Sequence, residues 1–410
     1  MAHKWEFSRR FRRNAFGWRS QLPIKRIKEA LSEIRGVARK DPALAAEGAV
    51  LFLEKLSPAI ENVDSSSGAI GTATNRAVEA LVEIMAEAPA DASTRSNWLK
   101  RLWTAVEEDG IGYLDQIPEH WGKLCASQTM ASYWADAFIG AVRIVWGPGS
   151  PGGGFYNGTA ACLSSLHHSG RYAEILELLD LSPDQSWYYR KWGTMALAAM
   201  GRNDDAIQYA FSTLDAGMNN RDFTQTCEEI LLAQGKTEQA FARFALHANR
   251  RNTNLATFNS IKSKYPDKTA KDILAHVVDE SPGEEGKWFA AAKSAGLLKE
   301  AVSLAEEYPC DPVTLTRAAK GFLDRNPEFA LKVGYAALRW LLAGYGRDIS
   351  PTDVMASCMV TLLAGVRTGC STEIRERIGR LTEAPFLDGC YTALLVQTCL
   401  KHWDERLSRS

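Results

Sequence analysis

Long uncharged apolar runs are missing from this chain. Nowhere do about 18 such residues follow one another, the minimum that a membrane-spanning helix needs, so no such helix is expected. An export signal is also lacking. The segment SRRFRR from Ser8 has the start of a twin-arginine signal, but Arg19, Lys25, Arg26 and Lys28 interrupt the apolar stretch that should follow. No two of Cys125, Cys162, Cys227, Cys310, Cys358, Cys370, Cys390 and Cys399 form a C-x-x-C pair. That spread suits reduced, mostly buried thiols and a cytoplasmic protein, in which the Asn157-Gly158-Thr159 glycosylation match has no meaning. There is no G-x-S-x-G elbow. Gly235-Lys236-Thr237 echoes a phosphate-binding loop, but the glycine required five positions before Gly235 is Ile230. Strand signals are scarce.

What is present is helical periodicity. Apolar residues recur at three- and four-residue steps, as in Ile24, Ile27, Leu31 and Ile34, and predict helix after helix. A 46% hydrophobic and 24% charged chain with twelve Trp can fold around sizeable cores. Its 410 residues suffice for two or three domains or for one elongated stack. Asp41-Pro42 and Asp311-Pro312 each pair a cap residue with proline at the first helical position, and further caps are expected at Thr94, Thr237 and Ser350. VDSSSGAIG, residues 63–71, reads as a loop between two helices. GPGSPGGG, residues 147–154, excludes helix and is the expected domain linker. Gly147-x-Gly149-x-x-Gly152 matches dinucleotide-binding spacing there, without the strand-helix context that the motif requires.

Beyond residue 155, SGRYAEILELL, MGRNDDAIQYAF, QGKTEQAFARFA and AGLLKEAVSLAE each begin at a turn glycine: Gly170, Gly201, Gly235 and Gly296. The intervals are 31, 34 and 61 residues, the last about twice the first. Five residues after each glycine stands Ile175, Ala206, Ala240 or Ala301, and nine after stands Leu179, Ala210, Phe244 or Ala305. Glycine turns the chain between two helices, and a small residue lets the second helix come close to its neighbour. Glycine followed five residues later by alanine on a period near 34 resembles the tetratricopeptide repeat over residues 156–345, although the family's first-helix tryptophan, its Leu-Gly pair and most closing prolines are absent. By layout the chain also resembles bacterial helical-repeat proteins from which no activity can be carried over. The resemblance implies an all-α solenoid of antiparallel hairpins. The expected organisation is a basic aromatic arm (1–22), an N-terminal helical region (23–146), a Gly/Pro-rich linker (147–155), repeats (156–345) and a helical cap (346–410), whose residues 350–405 read as three helices.

The first 28 residues carry nine Lys/Arg against Glu6 alone, a local charge of +8 in a chain of net −1. Arg9, Arg10, Arg12, Arg13 and Arg19 alternate with Trp5, Phe7, Phe11, Phe16 and Trp18. Such an arm can bind nucleic acid by phosphate pairing and base stacking, or an acidic protein surface. Alternatively, Phe7, Phe11 and Trp18 form one helical face docked on the first hairpin. In SWYYRKW, Tyr188, Tyr189, Arg190 and Lys191 are candidates for binding a peptide carboxylate or an acidic partner, unless the rings pack between repeats. YWADAF, with Tyr133, Trp134 and Phe138, is a second aromatic cluster. Asp272, His276 and Glu280 would share a helix face, but they lack further zinc ligands, so a solvated stripe is expected. His167-His168 precedes Gly170, where histidine complements a helix C-terminus. Glu107-Glu108, Glu228-Glu229 and Glu306-Glu307 read as surface charge. No metal, cofactor or catalytic residue is expected. The expected function is a non-enzymatic scaffold for a protein or peptide, with nucleic-acid binding through the arm and an unrecognised enzyme site as alternatives.

Overall fold

A computed structural model describes residues 3–147, 156–213, 217–383 and 390–407. Among the described residues all regular structure is helical, and the chain divides into two compact units, Met1–Ile230 and Leu231–Ser410. In the first unit lie α1 (Phe7–Arg10), α2 (Gln21–Ala38), α3 (Pro42–Ile60), α4 (Ala69–Glu87), α5 (Ala92–Glu107), α6 (Trp121–Cys125), α7 (Gln128–Trp146), α8 (Thr159–His168), α9 (Tyr172–Leu181), α10 (Trp187–Ala199) and α11 (Asn203–Phe211). Helix α12 (Arg221–Ala233) spans the division. The second unit holds α13 (Thr237–Ala248), α14 (Asn254–Lys264), α15 (Ala270–Asp279), α16 (Phe289–Ser294), α17 (Leu298–Glu307), α18 (Pro312–Phe322), α19 (Pro327–Leu342), α20 (Pro351–Arg367), α21 (Ser371–Thr382) and α22 (Tyr391–Leu407). The three helices expected over residues 350–405 are α20 to α22.

Consecutive helices pack in pairs, among them α2 with α3, α8 with α9, α10 with α11, α14 with α15, α16 with α17 and α18 with α19. Helices α7 and α8, on either side of residues 147–155, also pack together, and both lie in the first unit. Apart from Gly147, the Gly147-x-Gly149-x-x-Gly152 spacing lies outside the described residues.

Local chemistry sets the helix starts. Asp41 caps α3 by accepting from the Leu44 amide at 2.9 Å, Asp311 caps α18 through the Thr314 amide at 2.9 Å, and Ser350 forms a reciprocal capping box with Asp353 on α20. Two expected caps shift. Asp91, not Thr94, caps α5, because the Thr94 amide is the donor to its carboxylate (2.7 Å). Thr237 is the first residue of α13, and Lys236 takes the cap position.

That second shift follows from how the turn glycines work. Gly170, Gly201, Gly235 and Gly296 adopt left-handed φ of 71–78°. At each, the glycine N–H bonds the carbonyl three residues back, and the next residue's N–H bonds the one five back, as in Gly170 to His167 and Arg171 to Leu166. This is the Schellman closure, in which a residue with a Cβ would be strained. The eight residues five and nine positions after these glycines are all fully buried. Gly369 closes α20 in the same way and is followed by buried Ile374 and Ile378, a register the sequence reading passed over. The 61-residue interval holds one further hairpin, α14 and α15, where Lys268 stands in the glycine position and Ile273 and Val277 fill the two buried places.

Candidate partner-binding surfaces

The basic arm is built into the first unit. Trp5, Phe7, Phe11 and Phe16 are buried, with Phe7 and Phe11 edge-on to Phe52 of α3 at 5.4 and 5.0 Å between centroids. The Glu6 and Phe7 amides donate to the Glu33 carboxylate at 2.7 and 3.1 Å, and the Asn14 amide donates to the Pro58 carbonyl at 2.9 Å. Thus four of the five rings that could stack on bases lie in the core. Trp18 is the exception, 71% exposed. It does not share a helical face with Phe7 and Phe11, because α1 ends at Arg10 and the chain turns through Asn14 at φ 55°. Arg10 is paired with Glu29 at 2.8 Å. Arg9, Arg12 and Arg13 are exposed and make no ion pair with a described residue. Together with exposed Arg19 they give the arm a basic outer face around Trp18.

The docking has a steric requirement. Trp5 lies against Gly48 so closely that a Cβ there would stand 2.2 Å from its ring. Gly48→Val is therefore expected to expel Trp5 and free the arm while α3 stays helical. Trypsin would then cut after Arg9, Arg10, Arg12 or Arg13 at least tenfold faster than in the parent chain. Unchanged cleavage rates would show that the arm is held without Trp5.

The segment Trp187–Trp192 opens α10. Trp187 is buried against Phe223 (5.0 Å), and its indole N–H donates to Asp222 at 2.8 Å. Tyr189 is buried against Trp146 at 5.2 Å. Arg190 lies over the Tyr209 ring, donates to its hydroxyl at 2.7 Å and also reaches Gln185. Lys191 pairs with Glu119, has Asp222 at 3.8 Å and sits over the Tyr188 ring. Of the four residues singled out, only Tyr188 remains broadly exposed, at 42%. Burial, reinforced by the Glu119 charge, raises its phenol above the usual range, so it presents a neutral hydroxyl. Of the three rings of YWADAF, Trp134 and Phe138 are buried and Tyr133 is exposed.

His167, His168 and His276 make packing contacts with neighbouring residues. Burial, helped by the neighbouring His168, lowers the pKa of His167 to about 4, and His168 Nδ1 lies 3.0 Å from the Ser164 carbonyl in the last turn of α8. His276 lies tilted against Phe241 at 4.6 Å between centroids, and Asp272 is engaged in the capping box with Thr269. Among the described residues no three His, Cys, Asp or Glu side chains converge as metal ligands.

One surface was not legible in the motifs. Helices α15 and α17 leave between them a groove enclosing a cavity of about 340 Å³, floored by Leu274, Ala275, Val278, Leu304 and Tyr308. Lys271 bonds Glu300 at 3.2 Å, which sets the first turns of the two helices side by side. One end of the groove therefore carries Lys271, Lys299 and Glu300, which pairs with Lys271, and the other carries Asp279 and Glu307. Ala275 and Ser303 are exposed along it. The groove escaped sequence reading because α15 belongs to the hairpin that lacks its turn glycine. Its only signals were buried Ile273 and Val277 in register with the other units.

No protein-family model, curated protein or solved structure matches the chain.

Proposed function

We propose that this chain is a non-enzymatic, tetratricopeptide-like scaffold whose hairpins present a groove to a peptide or to an extended segment of a protein. The groove between α15 and α17 carries the reading: an open apolar floor, with Lys299 and the Lys271–Glu300 pair at one end and Asp279 and Glu307 at the other. Ten-residue helices make it about 13 Å long, room for about four extended residues. The matching ligand is a short apolar segment with an acidic residue towards Lys271 and Lys299 and a basic one towards Asp279 and Glu307. Apolar burial would supply the affinity and the charges the direction. The recurring glycine turns support the tetratricopeptide-like part of the proposal, because they repeat one hairpin geometry at near-regular intervals. Tyr188 is a further contact of the kind that binding surfaces use.

A second reading rests on exposed Arg9, Arg12 and Arg13 beside Trp18: a basic face for nucleic acid, whose affinity would fall steeply with salt. Burial of the other four rings removes most of its stacking surface.

The test is selection from a displayed random-peptide library on the nuclease-treated full-length chain. Selected peptides should be apolar at the centre with opposite charges at the two ends, and should lose at least tenfold in affinity for an Ala275→Glu, Ser303→Arg double variant. Selection of nothing above background, or equal binding to both proteins, would refute the groove. Loss of binding only when Arg9, Arg12 and Arg13 are neutralised would favour the second reading.

A further inference from the structure

Helix α2 has two contrasting faces. Ile27, Ala30 and Ile34 on its inner face are buried in the core of the first unit. Its exposed positions include Lys25, Lys28 and Arg35 but no acid. Both carboxylates of the helix are engaged elsewhere. Glu29 pairs with Arg10 and Arg26 at 2.8 and 2.6 Å, and Glu33 accepts from the Glu6 and Phe7 amides. Lys25, Lys28 and Arg35 make no ion pair with a described residue, so their charge adds to that of the arm.

Where the arm enters α2 the chain exposes two apolar side chains, Trp18 at 71% and Leu22 at 53%. Both are held in place. The Trp18 carbonyl accepts from the Asp64 amide at 2.9 Å, and Leu22 belongs to the first turn of α2. Asp64 brings an acid to this place, but its carboxylate is occupied by the Ser66 amide at 2.9 Å.

We propose that the outer face of α2, with the adjoining arm, binds the surface of an anionic lipid bilayer. Lys25, Lys28 and Arg35, spread along a helix of about 27 Å, lie over the charged headgroups, and Trp18 and Leu22 enter the boundary between headgroups and acyl chains. Indole favours that boundary, and a leucine there buries apolar surface that water now covers. A nucleic acid would attract the same cations, but Leu22 offers a base no ring to stack on, and four of the arm's five rings are in the core. Surface binding needs no spanning segment, and among the described residues no helix is long and apolar enough to cross a membrane. It also requires nothing of the groove between α15 and α17.

The test is sedimentation of the nuclease-treated full-length chain with vesicles of phosphatidylcholine, with and without phosphatidylserine. The chain should sediment only with the phosphatidylserine vesicles. Lys25→Gln, Lys28→Gln, Arg35→Gln together should weaken that binding about a hundredfold, and Trp18→Ser, Leu22→Ser together at least tenfold. All five side chains are exposed, so these variants keep the fold. Sedimentation with neither vesicle, equal sedimentation with both, or binding that the Trp18, Leu22 variant leaves unchanged would overturn the proposal. Tighter binding to a single-stranded oligonucleotide than to the vesicles, lost in the triple variant, would overturn it in favour of nucleic acid.

Discussion

Replacing Arg95 with alanine is expected to destabilise the first unit by about 3–5 kcal/mol. Arg95 is 6% exposed on α5, and its guanidinium supplies the hydrogen bonds that two other helix ends need. Nη1 donates to the Met85 carbonyl at 2.5 Å and to the Leu124 carbonyl at 3.3 Å, and Nη2 donates to the Ala88 carbonyl at 2.5 Å. The last carbonyls of a helix have no partner within it and carry the negative end of its dipole, so a buried cation there is matched in both charge and geometry. Its planar fork also lies 5.3 Å from the centre of the Trp98 ring. Burial lowers the Arg95 pKa, but a guanidinium stays protonated. Alanine would leave three carbonyls dry and a cavity beside Trp98. Lysine, a point charge without the fork, should recover only part of the loss. Urea unfolding followed by tryptophan fluorescence measures it, and a loss below about 1 kcal/mol would mean that water replaces the guanidinium freely.

Gly122→Ala is expected to cost about 2–4 kcal/mol by forcing α6 away from α8. A Cβ at this position would lie 2.2 Å from the Ser164 backbone carbonyl and 2.5 Å from His168 Nδ1. The carbonyl sits inside α8 and cannot swing aside, so the helices themselves must move. Moving them also strains the bond from the Gly122 amide to Ser164 Oγ (3.0 Å) and that from Ser164 Oγ to the Glu119 carbonyl (2.8 Å). Gly140 is the control. It lies exposed in α7 with open space around it, so Gly140→Ala should be neutral or stabilise by up to about 1 kcal/mol. Equal effects at the two sites, read from the same denaturation curves, would remove close helix contact as the cause.

These two positions show where sequence reading stops. Helix ends were legible because a cap needs residues only three apart: Asp41, Asp311 and Ser350 act as their spacing says. The turn glycines were legible for the same reason, since a left-handed residue closing a helix is a local requirement. Where the turn is made without a left-handed residue, at Lys268, the hairpin went unseen, and with it one wall of the groove. Arg95 reads as one more surface charge on a polar helix, because its carbonyl partners at Leu124 and Ala88 are set by tertiary packing. Gly122 meets Ser164 across 42 residues. Periodicity tells which face of a helix turns inward, not what it meets. The arm makes the same point, for its alternation of arginine and aromatic residues suits stacking on bases as well as it suits a docked strap. Only Phe52 and Gly48, supplied by α3, decide that four of the rings are core. In SWYYRKW the residue types suggested a charged contact, but Glu119, Tyr209 and Asp222 already engage the cations.

Hydrogen–deuterium exchange of the full-length chain, with and without a peptide selected on it, tests the scaffold reading most directly. Protection confined to residues 271–279 and 299–308 is the expected result, because both walls of the groove lose solvent when a ligand fills it. Protection at residues 9–19 with the groove unchanged would contradict it and move the binding surface to the arm.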